Sequence, residues 1–301
     1  MPNTLAHIGV QTLVTRGLMR GADIKWIWLG CIIPDLPWIG QRIVQAVRPD
    51  MSLVDLRLYA IAQSSLLLCV VLSAALALFS RARIRVFGIL AGGSLLHLLL
   101  DAMQTKWGNG VVLGAPFDWT LLNFELFWPE HPLSLALTVL GCLVAAWTFL
   151  RAPPDTSDLC LPGGAGGMAA AALLTIWLLG PMLLIPGAER ADLHHAATLR
   201  LGPTERAGRA IAFDRARVTG EGGQAQVWSG ETLSLTGHRP EESGTISLRG
   251  QFTGSGAVVV SEHHTHISGL RDYASYVGLI LVAALWVLAF ALPQRRHSNS
   301  P

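Results

Sequence analysis

Charge is scarce in this chain of 301 residues: Asp, Glu, Lys and Arg together make up 14% of it, against 51% hydrophobic residues. That ratio excludes an ordinary soluble domain, in which roughly a quarter of residues are charged. The net charge is only +2, and the basic residues lie between apolar segments, so there is no patch suited to nucleic acid. Cysteine is sparse as well. Cys31, Cys69, Cys142 and Cys160 show no CxxC spacing and three lie in apolar stretches, which argues against a disulfide framework or a thiolate zinc site. The opening MPNTLAHIGVQ has no basic leader, apolar core and cleavage site in that order, so insertion into a bilayer is expected to depend on the spans themselves. No internal repeat points to a solenoid, and no broken helices recur in matching halves as in many transporters.

What the chain does have is apolar runs. Residues 3–19 read as a short helix capped by Asn3 or Thr4, with Arg16 and Arg20 at its far end. Residues 24–33 form a second short run that stops at Pro34-Asp35-Leu36-Pro37, so the two predict a re-entrant hairpin or a pair of shallow spans. A mixed connection at 38–55 leads to residues 58–80, uncharged for long enough to cross a bilayer. The basic knot Arg81, Arg83 and Arg85 follows, then further spans at 86–103, 132–150, 168–188 and 273–292. The positive-inside rule places the knot in the cytoplasm with Arg16, Arg20, Lys25, Arg151 and the basic tail at 294–297. The expectation is a mainly α-helical multi-pass membrane protein with about five full spans plus the short hairpin, its amino terminus outside and carboxyl terminus inside. Residues 1–150 would be a helical membrane domain and 151–167 a flexible cytoplasmic Gly/Pro linker.

Residues 189–270 change character. Apolar alternation at 211–213, 233–235, 246–248 and 258–260, bounded by glycine-rich turns such as 220–223 and 254–256, predicts a small all-β domain, an OB-like barrel or a compact sandwich. Lying between two outward span ends, it is expected outside the cytoplasm. Residues 271–301 then supply the last span and tail.

The polar exceptions carry the chemistry. His97 and Asp101 are four residues apart in a leucine-rich helix, hence on one face, and unpaired burial of both would be costly. The plainer reading is a helix-end aspartate near the headgroups and a hydrogen-bonded histidine. The hairpin topology, however, brings His7, Asp35, His97 and Asp101 to the same outer side, together with Gln63 and Ser64. Two imidazoles and two carboxylates suit zinc, with manganese or iron also compatible. Asp118 or Glu130, in the glycine- and tryptophan-rich loop at 104–131, could act as general base. A second group, His263, His264 and His266 with His194 and His195 at the other edge of the β domain, reads either as a metal or pH-sensing site or as a solvated strand end.

MPNTLAHIG, LGCIIPDLPW, AQSSLLL and GGSLLHLLLDAMQTKWGNGVVLGAPFDW together resemble, in order and spacing, the membrane-bound metal-dependent hydrolases, the LexA-binding, inner-membrane-associated hydrolases of bacteria. The resemblance covers about residues 1–131 and rests most on the HxxxD followed by a glycine-rich turn. It implies that His7, Asp35, His97 and Asp101 bind metal. Gln63, with Ser64, stands where the family often has histidine, and glutamine is a poor ligand for a transition metal, so a second metal is not implied.

The function expected is metal-dependent hydrolysis of an ester or phosphoester in a membrane lipid or envelope-derived substrate, at the outer face of the bacterial inner membrane. The competing reading is a non-catalytic scaffold whose metal site is structural and whose β domain binds an envelope protein partner.

Overall fold

A computed structural model describes residues 3–151, 156–219, 223–254, 256–267 and 269–291. The basic tail at 294–297, residues 152–155 of the linker and most of the turn at 220–223 lie outside the described residues. The helical part begins with α1 (Thr4–Leu18) and α2 (Ile24–Ile32), followed by α3 (Leu36–Val47), α4 (Leu53–Gln63), α5 (Leu66–Ala77) and α6 (Arg83–Met103). A two-stranded ladder, β1 (Val111–Val112) with β2 (Leu121–Leu122), interrupts the loop before α7 (Pro132–Arg151) and α8 (Gly164–Arg190). Among the described residues four helices are long and apolar enough to cross a membrane, α6, α7, α8 and the last, α10 (Leu270–Ala291), or five spans if the bent pair of α4 and α5 counts as one. At about 1.5 Å per residue, the 21 residues of α6 span roughly the 30 Å of a hydrocarbon core.

Close backbone approach seats the short N-terminal helices inside this bundle. A Cβ on Gly141 of α7 would stand 2.0 Å from the Leu5 carbonyl oxygen of α1, so only glycine lets α1 lie there. The same device joins α2 to α6, where a Cβ on Gly93 would lie 3.3 Å from the Gly30 Cα. The hairpin is consequently packed within the protein: Ile8, Ile27, Trp28 and Cys31 are buried in the main core with Leu90 and Leu285.

Three expectations are corrected. The uncharged run at 58–80 is two helices, α4 and α5, bent by 65°. The break falls at Ser64 and Ser65, whose hydroxyls donate to the Ile61 and Ala62 carbonyls and compete with the helical ladder. The mixed connection at 38–55 holds α3, an amphipathic helix started by Pro37. The described part of the linker is docked rather than flexible: Asp158 pairs at 2.8 Å with the fully buried Lys25, accepts from the Trp26 indole at 2.7 Å, and offers its carbonyl to the Arg81 amide. A buried ammonium needs such partners, and Asp23 supplies the other.

The β domain is a closed five-stranded barrel, which settles the choice between barrel and sandwich. Beyond the short α9 (Ala196–Arg200) come β3 (Ala210–Thr219), β4 (Gln224–Gln226), β5 (Thr232–Gly237), β6 (Gly244–Phe252) and β7 (Val258–His266). The order around the barrel is β3-β4-β5-β7-β6, with β5 and β7 parallel and the other pairs antiparallel. Alternate residues Ile211, Phe213, Leu233, Leu235, Ile246, Leu248, Val258 and Val260 fill its interior, as the period of two requires. The alternation of β3 is broken by a bulge at Asp214 and Arg215.

The barrel rests on the tryptophan-rich loop. Trp128 stacks on His264 at 3.8 Å, the Arg249 guanidinium lies 4.6 Å from the Trp107 ring, and Arg249 pairs with Glu125. At Gly108, φ is +66° and a Cβ would strike the Ala212 carbonyl oxygen, so glycine is required at this contact.

Candidate metal centre

The four expected ligands come from three separate stretches. Asn3 caps α1 through the Ala6 amide and donates to Thr138 of α7 at 2.6 Å, which fixes the turn that carries His7. Asp35 lies in the 3-10 turn between α2 and α3, and His97 and Asp101 lie one turn apart on α6. The two imidazoles face each other, with ring centroids 3.8 Å apart and planes within 8°. His7 Nε2 is 3.2 Å from Asp101 Oδ1, and His97 Nε2 is 3.5 Å from Asp35 Oδ1 and 3.8 Å from Asp101 Oδ2.

One hydrogen bond sets the electronic state of His97. Its Nδ1 lies 2.5 Å from the Cys31 carbonyl oxygen, which can only accept, so Nδ1 carries the proton in the neutral ring and Nε2 presents a lone pair. That lone pair points among carboxylate oxygens. His7 Nδ1 and Nε2, His97 Nε2, Asp35 Oδ1 and Asp101 Oδ1 are all buried without a hydrogen-bond partner. Each unmade bond of this kind costs about 1–3 kcal/mol. Contacts between lone pairs at 3–4 Å, close yet aligned as no hydrogen bond, suit a cation shared among them. Atoms of His7, His97 and Asp101 lie mutually within 4.8 Å, with Asp35 adjoining through His97. The donor set therefore fits a divalent ion of the zinc, manganese or iron type. Lys106 Nζ lies 3.3 Å from Asp101 Oδ2, leaving Oδ1 for the cluster.

Asp35, His97 and Asp101 line a cavity of about 380 Å³, with Ser64 and Ile61 at the bend between α4 and α5 on its wall. Gln63, one residue earlier, turns away: its Nε2 donates to the Trp177 carbonyl of α8 at 3.1 Å. Asp118 faces a different cavity, with Trp119, His194 and His195, and is held low by bonds from the Thr120 hydroxyl and amide. The carboxylate that does line the first cavity from the barrel side is Asp214. Burial on its own would raise it, but the cations around it, Arg271 and Lys106 among them, hold it below the ordinary carboxylate range.

The second histidine group is paired internally. His266 and His264 lie 2.8 and 3.3 Å from the two oxygens of Glu130, and the other His266 nitrogen is 2.8 Å from the Ser247 hydroxyl. These atoms also lie within 4.8 Å of one another, yet they satisfy each other and serve as a clasp between barrel and loop. His263 turns away, toward the His238 carbonyl. His194 Nδ1 accepts from Arg57 Nε at 3.0 Å, and His195 Nε2 accepts from the Ala212 amide.

Sequence reasoning missed Arg57, Arg215 and Lys106, all on the cavity wall. Arg57 had a visible signal, since it is the one charged residue between Asp55 and Ser80 in an otherwise uncharged segment. No protein-family model, curated protein or solved structure matches the chain.

Proposed function

We propose that this protein is a metal-dependent hydrolase of the bacterial inner membrane, acting at the outer face on an ester or phosphoester of a lipid or envelope-derived substrate. The observation that carries this reading is the clustering beside a cavity of four buried, unpartnered ligand-type atoms from three chain segments, His7 Nε2, His97 Nε2, Asp35 Oδ1 and Asp101 Oδ1. A divalent ion bound there supplies Lewis-acid activation of water near neutral pH. His7, His97, Asp35 and Asp101 hold it, and the Cys31 carbonyl fixes which nitrogen of His97 is presented. Asp214, which lines the same cavity from the barrel and is held ionised, would be the group to accept a proton released during attack. The orientation is supported by Arg81, Arg83 and Arg85 at the opposite end of α6 from the cluster.

The test is metal content and hydrolysis by detergent-purified protein, wild type against His97→Ala and Asp101→Ala. Bound metal and turnover of a chromogenic phosphodiester or carboxylic ester are expected in the wild type and lost in both variants. Metal retained by both variants overturns the ligand assignment. Metal lost without any wild-type turnover leaves a structural site in a scaffold.

A further inference from the structure

The walls of the cavity that do not belong to the metal cluster are strongly basic. With Asp35, Asp101 and Lys106 assigned to the cluster, the remaining charged lining is Arg42, Arg57, Arg215 and Arg271 against Asp214 and Asp272. Two of these arginines are held as if for a partner that is not part of the chain.

Arg57 projects from α4, and its guanidinium lies between the Trp38 and Trp228 rings, 5.0 Å from each centroid. Trp38 belongs to α3, whereas Trp228 belongs to the β domain, so both parts of the protein hold it. Nε is occupied by His194 Nδ1 at 3.0 Å. Burial first, then the charge of Arg57, keeps His194 well below the ordinary imidazole range, so His194 takes this bond as a neutral acceptor and neutralises nothing. Among the described residues no carboxylate stands in ion-pair contact with Arg57. The terminal nitrogens of its fork are left for a ligand in the cavity it lines.

Arg215 comes from the barrel, on β3. It sits in the β3 bulge with φ +61°, a left-handed conformation that is strained for a non-glycine residue. Bulges near functional sites commonly re-aim a side chain, and this one turns Arg215 out of the barrel's alternation into the cavity. Its backbone amide donates to the Ser247 hydroxyl at 3.3 Å, while its Nη1 is buried without a hydrogen-bond partner. Burial first, then the neighbouring Arg271, push its pKa down, and the charges of Asp214, Asp272 and Glu130 only partly oppose them.

Resting on the hydrolase reading for its place in a reaction, we propose that Arg57 of the helical domain and Arg215 of the barrel form an anion subsite that receives the phosphate of a phosphoester, so that the substrate is a phosphorylated headgroup and not a carboxylic ester. A planar guanidinium matches two phosphate oxygens, and two of them lining one cavity would grip a tetrahedral dianion. The excess of positive charge on these walls matches the charge of one phosphate. The proposal also gives the barrel a task, because without it the subsite has only one arginine.

The test uses the full-length protein in detergent, stripped of metal with a chelator so that binding is separated from catalysis. The probes are inorganic phosphate, short-chain phosphatidic acid and the corresponding diacylglycerol, read by intrinsic fluorescence, since Trp38 and Trp228 flank Arg57. Saturable binding of phosphate and phosphatidic acid is expected, with none of diacylglycerol alone. Tighter binding of phosphatidic acid than of phosphate identifies a lipid headgroup as the source, and equal binding identifies the free ion. Arg57→Gln and Arg215→Gln should each weaken binding about tenfold, the loss of one charge-assisted contact. Arg57→Lys, which keeps the charge but loses the fork, should weaken it less. Arg48→Gln, at an exposed residue paired with Asp50, should leave it unchanged. Absence of phosphate binding to the wild type, or equal binding by wild type and both glutamine variants, overturns the proposal. Phosphate binding without turnover of any ester after metal is restored supports the subsite while failing the hydrolase reading.

Discussion

His7 and His97 lie face to face, with 3.8 Å between ring centroids, although they stand ninety positions apart on different helices and neither ring bonds to the other. Such a stack aligns two lone pairs along the edge where Asp101 sits, which makes it a ligand arrangement more than a packing one. His7→Phe should preserve the stack and remove the ligand. Bound metal measured by elemental analysis is expected to fall at least tenfold while the protein stays monodisperse. Unchanged metal content would remove His7 from the site.

Gly141 sets the height of α1 against α7. In Gly141→Ala the added carbon would meet the Leu5 carbonyl, backbone that cannot rotate aside. A loss of about 1–3 kcal/mol in stability is expected, with weakened metal binding because His7 moves with α1. Thermal unfolding and metal titration of one preparation would measure both. A stable variant with wild-type affinity would show that the contact does not position His7.

Lys25 and Asp158 form an asymmetric pair. Lys25 is fully buried with Asp23 as its other partner. Asp158→Ala removes one partner and leaves the ammonium under-compensated, at a cost of about 3 kcal/mol. Lys25→Met with Asp158→Ala removes the charge as well and should recover most of that loss. A double variant as unstable as the single one would show that the linker is held by other contacts.

The Glu130 and His266 clasp should weaken in acid. Burial holds His266 below the ordinary imidazole value, only partly offset by its bond to Glu130; Arg215 also lowers it and Asp214 opposes. Burial alone would raise Glu130, but the His266 bond and charge bring it below the ordinary carboxylate value. At both residues the unfolded chain takes up a proton before the folded one. Stability contributed by neutral His266 is therefore lost as pH falls below about 6.5, and that from ionised Glu130 as pH falls below about 4.3. Thermal midpoints between about pH 7 and pH 5 should decline in the wild type and decline less in His266→Asn. Parallel profiles would exclude His266 as the cause.

Much of this architecture was readable from the chain, for identifiable reasons. His97 and Asp101 stand out because a helix enforces their shared face, and His7 and Asp35 join them because hairpins reverse direction. A small β domain follows from alternation between glycine turns, whereas its closure into a barrel depends on strand pairing that alternation leaves open. What escaped depends on tertiary context. The break at Ser64 and Ser65 hides in a run of unbroken hydropathy, where two hydroxyls decide the outcome. The docking of the linker depends on Asp158 meeting a lysine more than a hundred residues earlier. Arg215 looks like any surface arginine of a strand until the bulge reverses its direction. Gln63 was singled out by its place in a motif, but the bend sends its side chain toward Trp177 while Ser64 meets the cavity.

The barrel is joined to helices at both ends, to α8 before it and, through residues 267–269, to α10 after it. Its encounter with the loop below is an intramolecular event at an effective concentration in the millimolar range or above. Contacts too weak to hold two separate proteins together, such as one ion pair at Glu125 and one clasp at Glu130, are then sufficient to keep it seated. A cavity whose walls come from both parts can thus stay assembled without a large interface, and surface that would otherwise be committed to adhesion is left to shape the chamber.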